Sequence, residues 1–293
     1  MMLRWLVMSY AQQAARQKIQ EAVVNTWQQV SGEAAPQRPA ELPPCDVAFV
    51  MSTEVEAEGL TKRIEGKVTT RCATFVEHAG KWCGRRVVIA ECGLGTKAAA
   101  RATADVIAIH HPAWVVSAGF AAALVDHVRR GHILMADHAA DTMHRELAVG
   151  LKLDPNVLAA TKGLHVGRLL TIDRLIHKPD QKRALGQEHA ALACDMETWA
   201  VAEACQREKT RFLSVRVISD GLDDRWPPEI ETLLDQRSWA GKLGAAAGAM
   251  WRRPAWVKDL LRLQEQAELA STRLAQFCAG VIPQLTDASL AKS

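Results

Sequence analysis

Carboxylates recur where strands are expected to end or helices to begin: Glu54 and Glu56 after the run Asp46 to Met51, Asp195 and Glu197 in Cys194-Asp195-Met196-Glu197, and Asp220 closing Ser214-Val215-Arg216-Val217-Ile218-Ser219-Asp220. Removing a carboxylate from water is costly, so a set of them opening on one crevice points to chemistry rather than to stability. Such a set can accept hydroxyl hydrogen bonds, draw a proton from water and, where burial keeps one member neutral, protonate a leaving group. Singly, each has a plainer reading: Asp195 and Glu197 suit the first turn of a helix, and Asp220 suits a turn cap.

Other chemistries fit less well. Gly93-Leu94-Gly95 lies between a strand and a helix, as in a dinucleotide site, but the third glycine is missing and no acid ends a suitable next strand, so a tight turn is expected. His132, Asp137, His138, Asp141 and His144 match no closed zinc spacing and are expected in a solvated loop. Ser117-Ala118-Gly119 lacks the GxSxG elbow of serine hydrolases. The seven cysteines show no CxxC pair, which fits reduced thiols and a cytoplasmic setting.

The elements that must hold the carboxylates alternate along the chain. Short apolar runs at 46–51, 85–91, 114–117, 132–136, 166–172 and 211–219 suit buried strands, with a further strand at 72–78 pairing with 85–91. Helical patterns occupy 54–63, 96–110, 196–208, 251–263 and 264–282. Strands alternating with helices imply an α/β fold with a mostly parallel sheet covered on both faces. The carboxyl ends of such strands are where open sheets bind ligands.

With 293 residues and 48% of them hydrophobic, the chain can bury one large core. Residues 1–44 are expected to form a helical extension (1–30) and a linker (31–44), 45–250 the catalytic domain, and 251–293 a helical tail packing on it. A net charge of +3, with no basic stripe, argues against nucleic acid as a partner. The apolar opening Met1 to Met8 is too short for a signal peptide, and no segment approaches a membrane span.

Taken together, Glu54-Val55-Glu56, GLGTKAAA (93–100), SAGFAAAL (117–124), CDMETWAVAEAC (194–205) and VRVISDGLDD (215–224) resemble the nucleoside phosphorylase superfamily, especially its methylthioadenosine/S-adenosylhomocysteine nucleosidase branch. The resemblance spans residues 46 to about 250, with a last helix near 264–282. It implies a three-layer phosphorylase-type fold, with a central mixed, mostly parallel sheet flanked by helices. It also implies cleavage by water of the N-glycosidic bond of a purine nucleoside modified at the 5′ position. On that resemblance Glu56 would be the base that activates water and Glu197 would grip the ribose hydroxyls, with Asp195 beside it and Met196 beneath the sugar. Asp220 would be the acid to the purine, and Arg216 would orient it. The partner would be a small-molecule nucleoside; a homo-oligomer is implied, and neither a metal nor an organic cofactor is needed.

One departure stands out. Where nucleosidases carry Gly-Ser-Ala-Gly-Gly-Leu beside the ribose, this chain reads Gly119-Phe120-Ala121-Ala122-Ala123-Leu124, which removes a hydroxyl and adds an apolar wall. Trp226-Pro227-Pro228 adds an aromatic segment that could shape the base or 5′ pocket. Phe120, Arg252-Arg253-Pro254 and Leu260-Leu261-Arg262-Leu263 also resemble the hopanoid-associated phosphorylase branch, in which phosphate replaces water. Phosphate needs a cationic seat, and Arg85, Arg86, Lys97 and Arg101, the available cations, read as surface charges. A third reading is a non-catalytic nucleoside-binding protein on the same fold.

Overall fold

The computed structural model describes residues 45–150, 161–176, 178–224 and 256–286. The expected N-terminal helix and linker (1–44), the Trp226-Pro227-Pro228 segment and Arg252-Arg253-Pro254 lie outside them. Described residues 45–224 and 267–286 belong to one compact unit, and residues 256–266, the start of the last helix, to another.

Parallel strands form the middle of the sheet. β1 (Val47–Met51) is buried at every position, as a strand covered on both faces must be. It lies between β4 (Arg85–Glu91) and β5 (Trp114–Ala123), parallel to both, and β5 is in turn parallel to β10 (Arg211–Asp220). The register pairs Met51 with Glu91, Val50 with Ser117 and Gly119 with Arg216. Whatever follows β1 and β4, and whatever ends β5 and β10, therefore gathers at one edge.

Beyond this run the sheet closes on itself. β6 (Ile133–Asp141) is antiparallel to β10 and parallel to β8 (Leu164–Thr171). β8 is parallel to the short β9 (Ala193–Asp195), which returns antiparallel to β5. The pairings β5–β10–β6–β8–β9–β5 thus form a ring, which leaves those strands no open edge. Its seam sets Ala122 opposite Cys194 and Thr171 opposite Asp195, bringing Asp195 and Glu197 to the edge where β10 ends.

Flanking helices hold the loops. α1 (Glu54–Thr61) follows β1, and α2 (Thr96–His110) follows β4, burying Ala99, Ala102, Thr103, Val106, Ile107 and His110 at helical spacing. α3 (Pro179–His189) precedes β9, and α4 (Thr198–Arg207) follows it. α5 (Trp256–Thr286) is one continuous helix where two were expected; its Leu274, Ala275, Cys278 and Ile282 join the main core cluster. Ser271 of α5 ties itself to α1: its hydroxyl donates to Glu56 O at 2.8 Å and accepts from Gly59 N at 2.8 Å. A Cβ on Gly59 would come within 2.3 Å of Ser271 O, so this contact requires glycine.

Several elements differ from expectation. β2 (Glu65–Arg71) was not foreseen because it is exposed along its whole length and polar, an edge strand paired only to β3 (Val76–Trp82) among the described residues. The strand expected at 72–78 begins at Val76, since Cys72 N turns back to bond Phe75 O at 2.9 Å. The histidine-rich segment is not a solvated loop: His138 and Asp141 lie on β6, and β7 (Glu146–Ala148) pairs with it. α3 was missed altogether, because its buried face consists of Lys182, Gly186 and His189 and carries no apolar stripe.

Candidate active site

Glu56 is fixed before any ligand arrives. Thr53 caps α1, and Glu56 completes a reciprocal capping box: Glu56 N donates to Thr53 Oγ1 at 3.4 Å, and Thr53 N donates to Glu56 Oε2 at 3.1 Å. Oε2 also accepts from Ser52 N at 3.1 Å and from the Ser52 hydroxyl. Oε1 accepts from Phe120 N at 2.8 Å. That approach depends on Gly119, where a Cβ would stand 2.8 Å from both Glu56 Oε1 and Arg216 Nη1. The segment Gly119 to Ala123, beyond the strand expected at 114–117, is the second half of β5, and the Phe120 ring is half-buried against the core.

Glu197 stands at the N-cap of α4 and is buried. Its Oε1 accepts from Gly95 N at 2.7 Å. The glycine turn is therefore a tight connection between β4 and α2, with Gly95 at φ 92°, and its amide faces a protein carboxylate. Burial, then the charges of Asp195 and Glu56, push the Glu197 carboxyl up to about 8.

Asp195 and Arg216 form the buried heart of the cluster. Arg216 donates to Asp195 Oδ2 from Nε at 2.9 Å and from Nη2 at 2.7 Å, and Nη2 also reaches Ser117 Oγ at 2.7 Å and Thr198 Oγ1 at 2.8 Å. Asp195 accepts further from Thr171 Oγ1 at 2.8 Å, from Thr198 N at 3.1 Å and from the Thr198 hydroxyl. Burial works against the charge on Arg216, but Asp195, Glu56 and Glu197 outweigh it and hold the guanidinium protonated. One cation thus faces three acids, and even with Glu197 held toward its neutral form by burial, acids outnumber cations in the buried site.

Asp220, four residues further along β10, has a different partner. Lys182 of α3 donates to Asp220 Oδ2 at 2.5 Å and to Gly221 O at 2.9 Å, while Ser219 Oγ donates to Asp220 Oδ1 at 2.9 Å. Lys182 has 0% of its surface exposed. Burial pushes the Asp220 carboxyl up, and Lys182 opposes that rise.

One expectation changes. Arg216 was expected to orient Asp220, but its guanidinium engages Asp195, Ser117 and Thr198, and the cation on Asp220 is Lys182. Asp195 was expected beside the sugar; its two oxygens accept from Arg216, Thr171 and Thr198 of the protein itself. Met196 is half-buried between Asp195 and Glu197. Among the proposed phosphate cations, Lys97 and Arg101 are exposed, and Arg85 and Arg86 sit at the amino end of β4, away from Glu56. Lys182, Thr171 and Thr198 escaped sequence reasoning, and Ser117, weighed there as a nucleophile, is a buried partner of Arg216. Among the described residues no group of three His, Cys, Asp or Glu side chains could hold a metal ion, and no helix is long and apolar enough to cross a membrane.

Known proteins share this arrangement of elements. The sequence profile of the phosphorylase superfamily matches residues 46–249. The 5′-methylthioadenosine/S-adenosylhomocysteine nucleosidase of Staphylococcus epidermidis is 24% identical over 211 residues, covering 65% of this chain and 92% of the relative. The protein of the same name from Colwellia psychrerythraea is 27% identical over 214 residues, 64% of this chain and 88% of the relative. Among solved structures, 5′-methylthioadenosine nucleosidase of Arabidopsis thaliana in apo form superposes with a TM-score of 0.62 at 18% identity, covering 86% of this chain and 100% of that one. The S. pneumoniae nucleosidase, solved with a transition-state inhibitor, gives 0.60 at 16% identity, covering 81% and 98%. At these identities the superpositions speak for the fold.

Proposed function

Because the chain belongs to the phosphorylase superfamily, we propose that it hydrolyses the N-glycosidic bond of a purine nucleoside modified at the 5′ position, of the methylthioadenosine or S-adenosylhomocysteine type. The observation that carries this reading is the charge of the buried cluster: Asp195 and Glu56 face Arg216, its one cation among the described residues, and a third acid, Glu197, adds its charge as it ionises. Breaking a bond from C1′ to a purine leaves an oxocarbenium-like sugar, and fixed negative charge at low dielectric stabilises that cation more than the neutral substrate. The same charge repels phosphate, and Arg216, already committed to Asp195, makes a poor phosphate seat. Water is therefore the favoured nucleophile.

In this reading the roles divide as follows. Glu197 accepts the ribose hydroxyls, with Met196 beneath the ring. Glu56, held by Ser52, Thr53 and Phe120 N, accepts a proton from water as its oxygen adds to C1′. The bonding pair of the C1′ to N9 bond leaves with the purine, and Asp220 delivers a proton to N7. In the segment that resembles the nucleosidases' ribose-side stretch, Phe120 stands in place of a serine and removes its hydroxyl, which favours a substrate with an apolar 5′ substituent. The names of the relatives, all nucleosidases acting on such compounds, support the same substrate class.

Adenine release from methylthioadenosine, S-adenosylhomocysteine and adenosine, each with and without phosphate, tests the reading with the natural chain beside Glu56→Gln. Release without phosphate is expected, falling about 10²-fold or more in the variant. Release that requires phosphate would make the protein a phosphorylase, and no release from any of the three would sink the reading.

A further inference from the structure

The lysine beneath Asp220 has no role in the chemistry so far. Its ammonium is sealed from solvent, 2.5 Å from the carboxylate and 2.9 Å from Gly221 O. A buried lysine is expensive unless paired, and here the partner is the very group assigned to protonate the leaving base. A carboxylic acid that stores its own proton needs surroundings that disfavour its anion. Burial does disfavour the Asp220 anion, but the contacts work the other way: an ammonium in hydrogen-bond contact, with Ser219 Oγ donating to the second oxygen at 2.9 Å. A contact this close favours the charged pair, with the shared proton on nitrogen.

Resting on the nucleosidase reading, we propose that Lys182 is the source of the proton that Asp220 delivers to the departing purine, acting as a positioning and proton-storing residue through Asp220. As the C1′ to N9 bond breaks and its electron pair moves into the purine, N7 takes a proton from the Asp220 carboxyl. The Asp220 carboxyl is in turn protonated by the Lys182 ammonium. Lysine is left neutral and the carboxylate ionised, and one proton from water restores the pair once the base has left. No oxidant, metal or further reactant enters. The other titratable groups facing the pair are Asp224, just beyond β10, and Cys194 on β9. Asp224 is held by Arg130 and by Gly221 N, and burial keeps the Cys194 thiol protonated, so neither competes for the proton.

The pH dependence of kcat/KM for methylthioadenosine separates this proposal from its rivals through the direction of one change. If the pair shares one proton stored on the lysine side, activity survives until the pair as a whole gives it up, and Lys182→Met leaves the alkaline limit to the Asp220 carboxyl alone, which gives up its proton at lower pH than the pair. The alkaline limb should then move to lower pH by about one pH unit or more, with kcat down about tenfold or more near pH 8. If Asp220 were a lone acid that Lys182 merely acidifies, removing the lysine would move the limb to higher pH. A structural role alone would leave it in place. Either of these two results overturns the proposal. Lys182→Arg is the second variant: it keeps the ion pair but cannot give up its proton, so wild-type activity in it also refutes the idea.

Infrared difference spectra between the natural chain and Asp220→Asn at neutral pH add a reading that needs no turnover. An ionised carboxylate band lost in the variant is expected, and a protonated-acid carbonyl band in its place overturns the proposal. Wild-type chain that releases no adenine from any substrate condemns the nucleosidase reading itself. Active wild type with an unmoved limb in Lys182→Met condemns the lysine alone.

Discussion

The two charged clusters at this edge of the sheet are built on opposite plans. Around Arg216 three acids outnumber one cation, and Glu197 is pushed up to about 8 by burial and by its neighbours. Around Asp220 one carboxylate meets one ammonium, and the pair is neutral. The first plan keeps an excess of negative charge where a cationic sugar would form. The second keeps a mobile proton where a purine would depart. Both are costly to bury, and both are retained by hydrogen bonds from nearby hydroxyls and amides: Ser52, Ser117, Thr171 and Thr198 in the first, Ser219 in the second.

Breaking the first cluster at its cation should have the largest effect. Arg216→Met leaves Asp195 without its charge partner and is expected to lower the unfolding free energy by about 3–5 kcal/mol, the usual cost of removing one member of a buried pair. Urea unfolding measures it, and a loss under about 1 kcal/mol would mean that Asp195 does not depend on the Arg216 guanidinium. Breaking the second cluster at Asp220 should cost turnover more than stability: Asp220→Asn is expected to lower kcat by about 10²-fold or more. Because the orphaned Lys182 also destabilises that variant, Asp220→Asn with Lys182→Met should recover stability while kcat stays low, as thermal melts and turnover together would reveal.

A smaller effect sharpens the contrast between the clusters. A carboxyl with its folded pKa raised contributes stability that is fully present below its unfolded value and is lost as pH rises through the folded one. For Glu197 that loss begins near the ordinary carboxylate range and is complete just above pH 8. Glu197→Gln should therefore melt higher than the natural chain at pH 9 and no higher at pH 4, while on the proposed reading KM rises above about pH 8, where the natural chain carries a charged acceptor for the ribose hydroxyls and the variant only an amide. Equal melting temperatures at pH 9 would show that the carboxyl is not raised. The smallest effect is expected at the tie between α5 and α1: Ser271→Ala removes the hydroxyl's bonds to Glu56 O and Gly59 N and should cost about 1–2 kcal/mol in unfolding, with kcat changed less than about twofold. A larger fall in kcat would mean that this tie sets the position of Glu56.

Much of the fold was legible because its signals are local. The runs that became β1, β4, β5 and β10 are continuous and apolar, as buried parallel strands must be, and α2 shows the spacing of a one-faced helix. Glu56, Glu197 and Asp220 could be singled out because each follows or ends such an element, and the motifs around them match a known family. β2 and α3 left no such trace. One is polar and exposed throughout, and the other buries a lysine, a glycine and a histidine, so hydrophobic periodicity passes over both.

The chain's order of residues thus determined which groups stand at the ends of strands, since strand and helix patterns are short-range properties of polar and apolar spacing. Which groups touch was decided only by the fold. Arg216 lies four residues from Asp220, yet the register of β10 against β5 and the closure through β9 deliver it to Asp195. Lys182, thirty-eight positions away from Asp220 and on a helix with no apolar face, becomes that acid's partner. Ion pairing depends on distances of a few ångströms between elements remote in sequence, and in this protein the packing of α3 against the end of β10 sets the one that matters most.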